Sequence, residues 1–308
     1  MNIIVFHQPF PMGNYKVNET IAKHFKSKGH TVYYVEQLNG AAATVEYIDA
    51  IKELKPDLVY YEMLDRETFK VVEHLSCQKI LLYASKGILS SEKDIPQYKG
   101  KWFDKIITNS PNIAKYFTSE GIITTTFEYY FSSLLEEELV YKPEYNHDCV
   151  FLGMGHARLT DPFYKLERDT YYGGFQEFDF KIYGSGWPNW PHYGGVLPEN
   201  DVGSLYCSVK SSVAQIGNNQ RTNGQINGRY SEIMFARSPL LSYRYPTINW
   251  YGAEKDIIFI ESRQDMINKV LDIKQNPDKY KQNIINLRNF IDNQTRDFHL
   301  RLDELIEI

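Results

Sequence analysis

The chain has 308 residues and a formal net charge of −5; 43% of its residues are hydrophobic and 24% charged. That composition belongs to a globular protein with room for two domains, and its acidic balance speaks against a surface that coats nucleic acid generally. No apolar run reaches the roughly 18 residues of a membrane span, no leader pattern opens the chain, and the scattered Cys77, Cys149 and Cys207 read as reduced core residues of a cytoplasmic protein.

Asn2–Phe6 is an apolar run expected as a buried parallel strand, followed by a loop over His7–Gly13. A helix begins around Asn18 and ends at Lys28-Gly29-His30, and Thr31–Val35 is the next strand. This is a β-loop-α-β unit, but its first loop lacks G-x-G-x-x-G, so a dinucleotide held in the usual way is not expected. Val45–Leu54 reads as a helix stopped by Pro56, and Leu58–Tyr61 as a strand that delivers Glu62 and Asp65 to its carboxyl end. Glu67–Leu75 is helical, Lys79–Ala84 a strand, Ser85–Gly100 a loop, Phe103–Thr108 a strand, Pro111–Ser119 a helix and Gly121–Phe127 a strand. Strands alternating with helices specify a doubly wound parallel sheet.

Glu136–Tyr145 reads as a linker, with the acidic triplet Glu136-Glu137-Glu138 as a solvated face. A second α/β unit follows: strand Asp148–Leu152, the glycine loop Gly153–Arg158, strand Phe178–Gly184, and a short helix over Pro198–Tyr206. Ser212–Ile216 is then a strand, a Gly/Asn/Gln-rich loop through Gly217 follows, and a helix opens near Asn227 or Gly228 and is stopped by Ser238-Pro239. Leu240–Tyr243 and Asp256–Ile260 are strands; Ser262–Lys274, Pro277–Phe290 and Phe298–Ile306 are helices. The expected division is residues 1–144, residues 145–290 and a C-terminal helix over 291–308.

The strand–loop–helix around Gly217–Glu232 carries the clearest chemistry. A strand, a glycine loop and a helix N-terminus bring backbone N–H groups and the positive end of the helix dipole together, which suits an anion. Arg229 adds a two-pronged cation suited to phosphate, and Glu232, three residues on, shares its helix face. An Arg for a diphosphate and a Glu for ribose hydroxyls would describe a nucleotide-sugar site; the plainer reading is an i,i+3 surface ion pair.

Val150-Phe151-Leu152-Gly153, Ile182–Trp187, Gly195–Glu199 and the R-x-x-E stretch Gly228–Met234 occur in the order seen in GT-B glycosyltransferases, and the second half resembles the CgeB-like group and the DNA β-glucosyltransferases of T-even phages. Thr295-Arg296 and His299-Leu300-Arg301 fit the same pattern, while the first half matches only over Asn18–Ile21, Gly29, Val32 and Leu38–Gly40. The resemblance implies an α/β protein of GT-B fold: two Rossmann-like domains facing across a cleft, with the C-terminal helix returning toward the first. It implies a uridine diphosphate sugar as donor substrate, no other cofactor, Arg229 on the donor diphosphate, Glu232 on its ribose, Arg158 on a phosphate, and the backbone near Leu197 reading the base. Gly153, Gly217 and Gly228 would line the donor loops. Glu19 matches an acidic residue beside the transferred sugar, whereas the family's base falls near Ser85, which cannot act as one.

Glu62 and Glu19 are therefore the candidate bases, with Asp65 and His7 behind them. No D-x-D occurs, which fits a site without metal. Arg221 is read as a solvated loop arginine or a phosphate contact, and Trp187, Trp190 and Tyr193 as packing or stacking residues. The acceptor is expected to be a 5-hydroxymethyl pyrimidine in bacteriophage DNA, reached from a lysine strip over Lys86, Lys93, Lys99, Lys101 and Lys105 interleaved with Tyr98 and Trp102. A surface polysaccharide or protein glycan is the alternative acceptor, and a non-catalytic nucleotide- or saccharide-binding module the alternative class.

Overall fold

The computed structural model describes all residues except 8–14, 39–40, 63–65, 83–98, 128–131, 218–220, 222–225 and 308. Asp65, Ser85, Lys86, Lys93 and Tyr98 fall outside the described residues. The chain divides into two compact units: Met1–Glu128 together with Arg296–Ile308, and Tyr129–Thr295.

The first unit holds a six-stranded sheet: β1 (Asn2–His7), β2 (Thr31–Glu36), β3 (Leu58–Tyr61), β4 (Gln78–Leu82), β5 (Lys105–Thr108) and β6 (Ile123–Thr126). Its order is β2-β1-β3-β4-β5-β6, and every pair is parallel. The central strands β3 and β5 are buried along their whole length, as apolar runs covered on both faces must be. The crossovers carry α1 (Tyr15–Ser27), α2 (Val45–Glu53), α3 (Arg66–Val72) and α4 (Pro111–Ser119). Thr44 caps α2 through the Tyr47 amide, and Ser110 caps α4 through Ile113, with Pro111 at its first turn. His7 is not in a loop: it ends β1, 7% exposed, and stacks on Tyr34 at 4.0 Å.

The second unit repeats the plan with β7 (Cys149–Leu152), β8 (Phe180–Tyr183), β9 (Tyr193–Gly195), β10 (Ser212–Ala214), β11 (Leu240–Tyr243) and β12 (Ile258–Ile260). The order is β12-β11-β10-β7-β8-β9, again all parallel. Its helices are α5 (His156–Thr160), α6 (Lys165–Glu167, which runs on into a π-turn over Arg168–Tyr172), α7 (Val202–Ser208), α8 (Gly228–Phe235) and α9 (Arg263–Gln275). Edge strand β9 is absent from the sequence reading because Gly194-Gly195 gives no strand signal. Glycine is needed there because a Cβ at Gly194 would meet the Tyr183 ring at 2.5 Å.

Two further expectations change. The last two predicted helices are one, α10 (Lys281–Glu307), preceded by a 3-10 turn at Pro277–Tyr280. No Gly or Pro interrupts residues 291–297, and Leu287, Ile291, Phe298, Leu302 and Leu305 continue one buried stripe. The end of this helix belongs to the first unit, where Phe298 meets Phe127 at 5.0 Å and Lys105 donates to the Leu305 carbonyl at 2.7 Å. The acidic triplet is also more than a solvated face: Glu136 accepts from Arg288 at 2.5 Å, and Glu138 accepts from the Leu135 amide at 2.8 Å.

Candidate functional site

β10 is followed by Gln215 and Ile216, which are 3% and 0% exposed, and the chain then turns toward α8. Asn227 makes that turn: its side-chain oxygen accepts from the Arg229 amide at 3.1 Å while its side-chain NH₂ donates to the Gln215 carbonyl at 2.7 Å. The cap thus ties the helix N-terminus to the carboxyl end of the strand. Gly228 is the first helical residue, and Arg229 and Glu232 follow on one face.

Arg229 donates from Nη1 to Glu232 Oε2 at 2.7 Å, and Ser133 Oγ donates to Glu232 Oε1 at 3.1 Å. The Glu232 side chain is 14% exposed and that of Arg229 39%. The i,i+3 pair foreseen as the plainer reading is therefore formed. It is also embedded, since Arg229 lies close enough to the buried Tyr206 for each to act on the other's charge. Burial, opposed by Arg229, pushes the Tyr206 phenol up, so it remains protonated. Tyr206 and Ser133 were not read from the sequence, because neither lies near R-x-x-E in the chain.

Arg158 lies on α5, beyond the carboxyl end of β7. It donates to the carbonyl of Met154 on its own loop and lies over the Phe151 ring at 5.8 Å and the Tyr164 ring at 5.7 Å; its Nε has no hydrogen-bond partner among the described residues. Gly153 sits where two loops touch: its carbonyl accepts from Trp187 Nε1 at 2.7 Å, and Gly184, at φ +122°, packs its backbone against that same carbonyl. Trp187 is 8% exposed and meets Phe151 and Tyr172 edge-on, so packing is its role, and Tyr193 donates to the Gly184 carbonyl at 2.8 Å. Trp190 stacks on His192 at 5.1 Å. Leu197 is half-buried against the core beside Val196, which is exposed. Gly217 accepts from the Arg221 amide at 2.9 Å.

Arg221 is neither solvated nor open to a phosphate. Its side chain is 15% exposed; it donates to the Ile216 carbonyl at 2.9 Å, pairs with Glu167 and lies between the rings of Tyr245 at 4.1 Å and Phe163 at 4.3 Å. Glu167 is fully buried and also accepts from the Tyr245 hydroxyl at 2.9 Å. Sequence reading passed over Glu167 because Lys165–Asp169 looks like a solvated charge run.

The remaining candidates lie in the first unit. Glu62 follows β3 and is 9% exposed; Glu19 is on α1, 27% exposed, and pairs with Lys23 at 3.2 Å. Lys99 and Lys101 are exposed, although Lys99 donates to the Gly121 carbonyl at 2.5 Å. Lys105 leaves the proposed strip: it is a strand residue, 3% exposed. Trp102 stacks on Phe69 at 4.4 Å, and its indole N–H bonds Glu73.

Residues 164–305 match the family model described as glycosyl transferase-like, Glyco_trans_1_2. No curated protein matches the chain in sequence. Among solved structures, it is similar over 100% of both chains to the T4 phage beta-glucosyltransferase, at 13% identity and a TM-score of 0.67. A crystal structure of a DNA modifying enzyme beta-glucosyltransferase, solved in the presence and absence of its substrate uridine diphosphoglucose, gives 12% identity and a TM-score of 0.67 over the full length of both. An alpha-glucosyltransferase in complex with UDP gives 8% and 0.67, also over both whole chains. The chain has the GT-B fold, and its residues 164–305 match the glycosyl transferase-like family model.

Proposed function

We propose that the protein transfers a sugar from a uridine diphosphate sugar to a hydroxyl acceptor. One observation carries this reading: the Asn227-capped start of α8 presents Arg229 and Glu232 at the carboxyl end of β10, inside the segment that matches the family model. Ligands of open α/β sheets sit at that end of the strands. A departing diphosphate needs positive charge. Arg229 gives Nη1 to Glu232 and, with 39% of its side chain exposed, offers its other N–H groups to phosphate beside the helix dipole. Glu232 already accepts from Arg229 and Ser133, yet a carboxylate has roughly four acceptor sites and can still take ribose hydroxyls. Arg158 adds a second cation, Gly153, Gly217 and Gly228 shape the loops, and the backbone at Leu197 reads the base. The absence of D-x-D from the sequence supports charge stabilisation by these arginines without metal.

For the acceptor proton we assign Glu62 or Glu19. For the acceptor we favour a hydroxymethyl pyrimidine in DNA, a choice supported by the similarity to a DNA modifying glucosyltransferase. Extruding a duplex base costs a few kcal/mol and needs phosphate contacts, for which Lys99 and Lys101 are named.

The donor is tested by calorimetry with uridine diphosphate sugars. Arg229→Ala abolishes binding with the fold intact by circular dichroism, and Glu232→Gln weakens it by about 1.5–3 kcal/mol; unchanged donor affinity in Arg229→Ala overturns the assignment. Transfer to hydroxymethylcytosine-containing DNA, absent with unmodified DNA and weakened by salt, supports the acceptor. Transfer to a free or lipid-linked saccharide instead replaces the acceptor and leaves the donor assignment standing.

A further inference from the structure

At the amino ends of the second sheet, opposite the carboxyl-end loop of Arg229, lies a cavity of about 300 Å³ lined by Lys210, Pro239, Ile273, Lys274, Pro277 and Ile284. That volume is at the lower end of the ~300–1,000 Å³ of ligand sites. Its wall is apolar: Ile273 is 2% exposed, Pro239 is buried and Ile284 half-buried. The two lysines come from the loop after α7 and from α9, and one carboxylate fixes both. Asp148, 4% exposed just before β7, accepts from Lys210 at 2.7 Å through Oδ1 and from Lys274 at 2.8 Å through Oδ2.

Burial alone would raise the Asp148 carboxyl, but the bonds from Lys210 and Lys274 outweigh it and hold it ionised below its ordinary value. Each ammonium gives Asp148 one proton and keeps two, and both side chains remain open, at 41% and 43%. Neighbouring acids are engaged elsewhere: Asp179 with His147, Asp265 with Lys269, Asp272 with Lys279 and Tyr280, Asp278 with Lys281. Two cations against one shared anion leave a single positive charge at the rim of an apolar pocket.

We propose that this cavity binds a small organic monocarboxylate, its carboxylate in the fork of Lys210 and Lys274 and its hydrocarbon body against Pro239, Ile273, Pro277 and Ile284. The charge balance matches a monoanion, and the apolar wall matches an alkyl or aryl body. Because the cavity is at the opposite end of the sheet from Arg229, its occupation does not require a sugar donor.

Titration calorimetry of the full chain without donor tests this, using butyrate, hexanoate and octanoate as probes and 1-octanol as the uncharged control. Affinity should rise from butyrate to octanoate by up to about fourfold per methylene, and octanol should bind at least about tenfold more weakly than octanoate. Lys210→Met and Lys274→Met should each cost octanoate about tenfold, and Ile284→Trp, which fills the cavity, should abolish binding, with thermal melting showing each variant folded. If Ile284→Trp fails to fold, the two lysine variants decide alone. No octanoate binding at about 10 mM, equal binding of butyrate and octanoate, or affinity unchanged in both lysine variants overturns the proposal.

Discussion

Arg221 and Arg229 occupy the same loop–helix segment but do different work. Arg229 keeps 39% of its side chain exposed and shares Glu232 with Ser133, an arrangement that leaves donors for a ligand. Arg221 is enclosed by Tyr245, Phe163 and the buried Glu167, and its backbone amide closes a turn on Gly217. A buried pair is costly to break, because the surviving charge loses its partner in a poorly solvated place. Arg221→Leu should therefore destabilise the second unit by about 3–5 kcal/mol, while Arg221→Leu combined with Glu167→Leu should cost less than the single change. Urea denaturation checks this, and a single-variant loss under about 1 kcal/mol would show the pair to be a surface one. The Arg229–Glu232 pair was legible from spacing alone, since residues three apart always share a helix face. The Arg221–Glu167 pair was not, because a contact between residues so far apart in sequence is made by folding.

Among the described elements, α10 contributes to both units, with Lys281–Thr295 in the second and Arg296–Glu307 in the first. Its last turns bring His299 against α1, where the imidazole stacks on His24 at 4.1 Å, while Asp303 accepts from His24 at 2.7 Å and pairs with Lys28 at 2.7 Å. Burial, and then the neighbouring His24, push the His299 imidazole down to about 4, against an ordinary value of about 6.5. Between those values the unfolded chain takes up a proton that the folded imidazole refuses. The contribution of His299 is thus full above about pH 6.5 and is lost as the pH falls toward 4, by up to roughly 3 kcal/mol. His30, lowered chiefly by burial, acts in the same direction. Burial would raise Asp303, but Lys28 and His24 hold it down, so its contribution is lost only in more acid solution. His299→Phe should flatten the fall in stability between pH 7 and pH 5, measured as denaturation midpoints; a slope identical to that of the parent protein would refute the assignment. The residues of α10 were legible as helix-forming, but not its continuity, because residues 291–297 are mostly polar and show little apolar periodicity of their own. The apolar stripe across it shows why none occurs.

For the whole molecule, two parallel sheets of six strands each carry a separate core, and a chain of this kind need not unfold in one step. The first unit completes its core with residues from the far end of the chain: Phe298 and Leu302 are fully buried and Leu305 is 2% exposed. Leu302→Ala should therefore destabilise the first unit by about 2–5 kcal/mol. Limited proteolysis would then cut preferentially within Met1–Glu128, and preferential cutting within Tyr129–Thr295 would contradict the assignment.

The sequence by itself determined the alternation of strands and helices, because apolar runs separated by helical segments favour a doubly wound parallel sheet; the order of the strands and the edge strand β9 came from the tertiary structure. The sequence also determined the capped helix that carries Arg229 and Glu232, since the Asn cap, the glycine and the i,i+3 spacing are local features. Only the tertiary structure decided that Lys105 is core rather than surface, that Arg221 belongs to Glu167, that Glu136 belongs to Arg288, and that Asp148 gathers Lys210 and Lys274. Each of these turns on the burial or pairing of a charge. Burial and pairing are set by which distant segments pack together, a property that no local window of the chain contains.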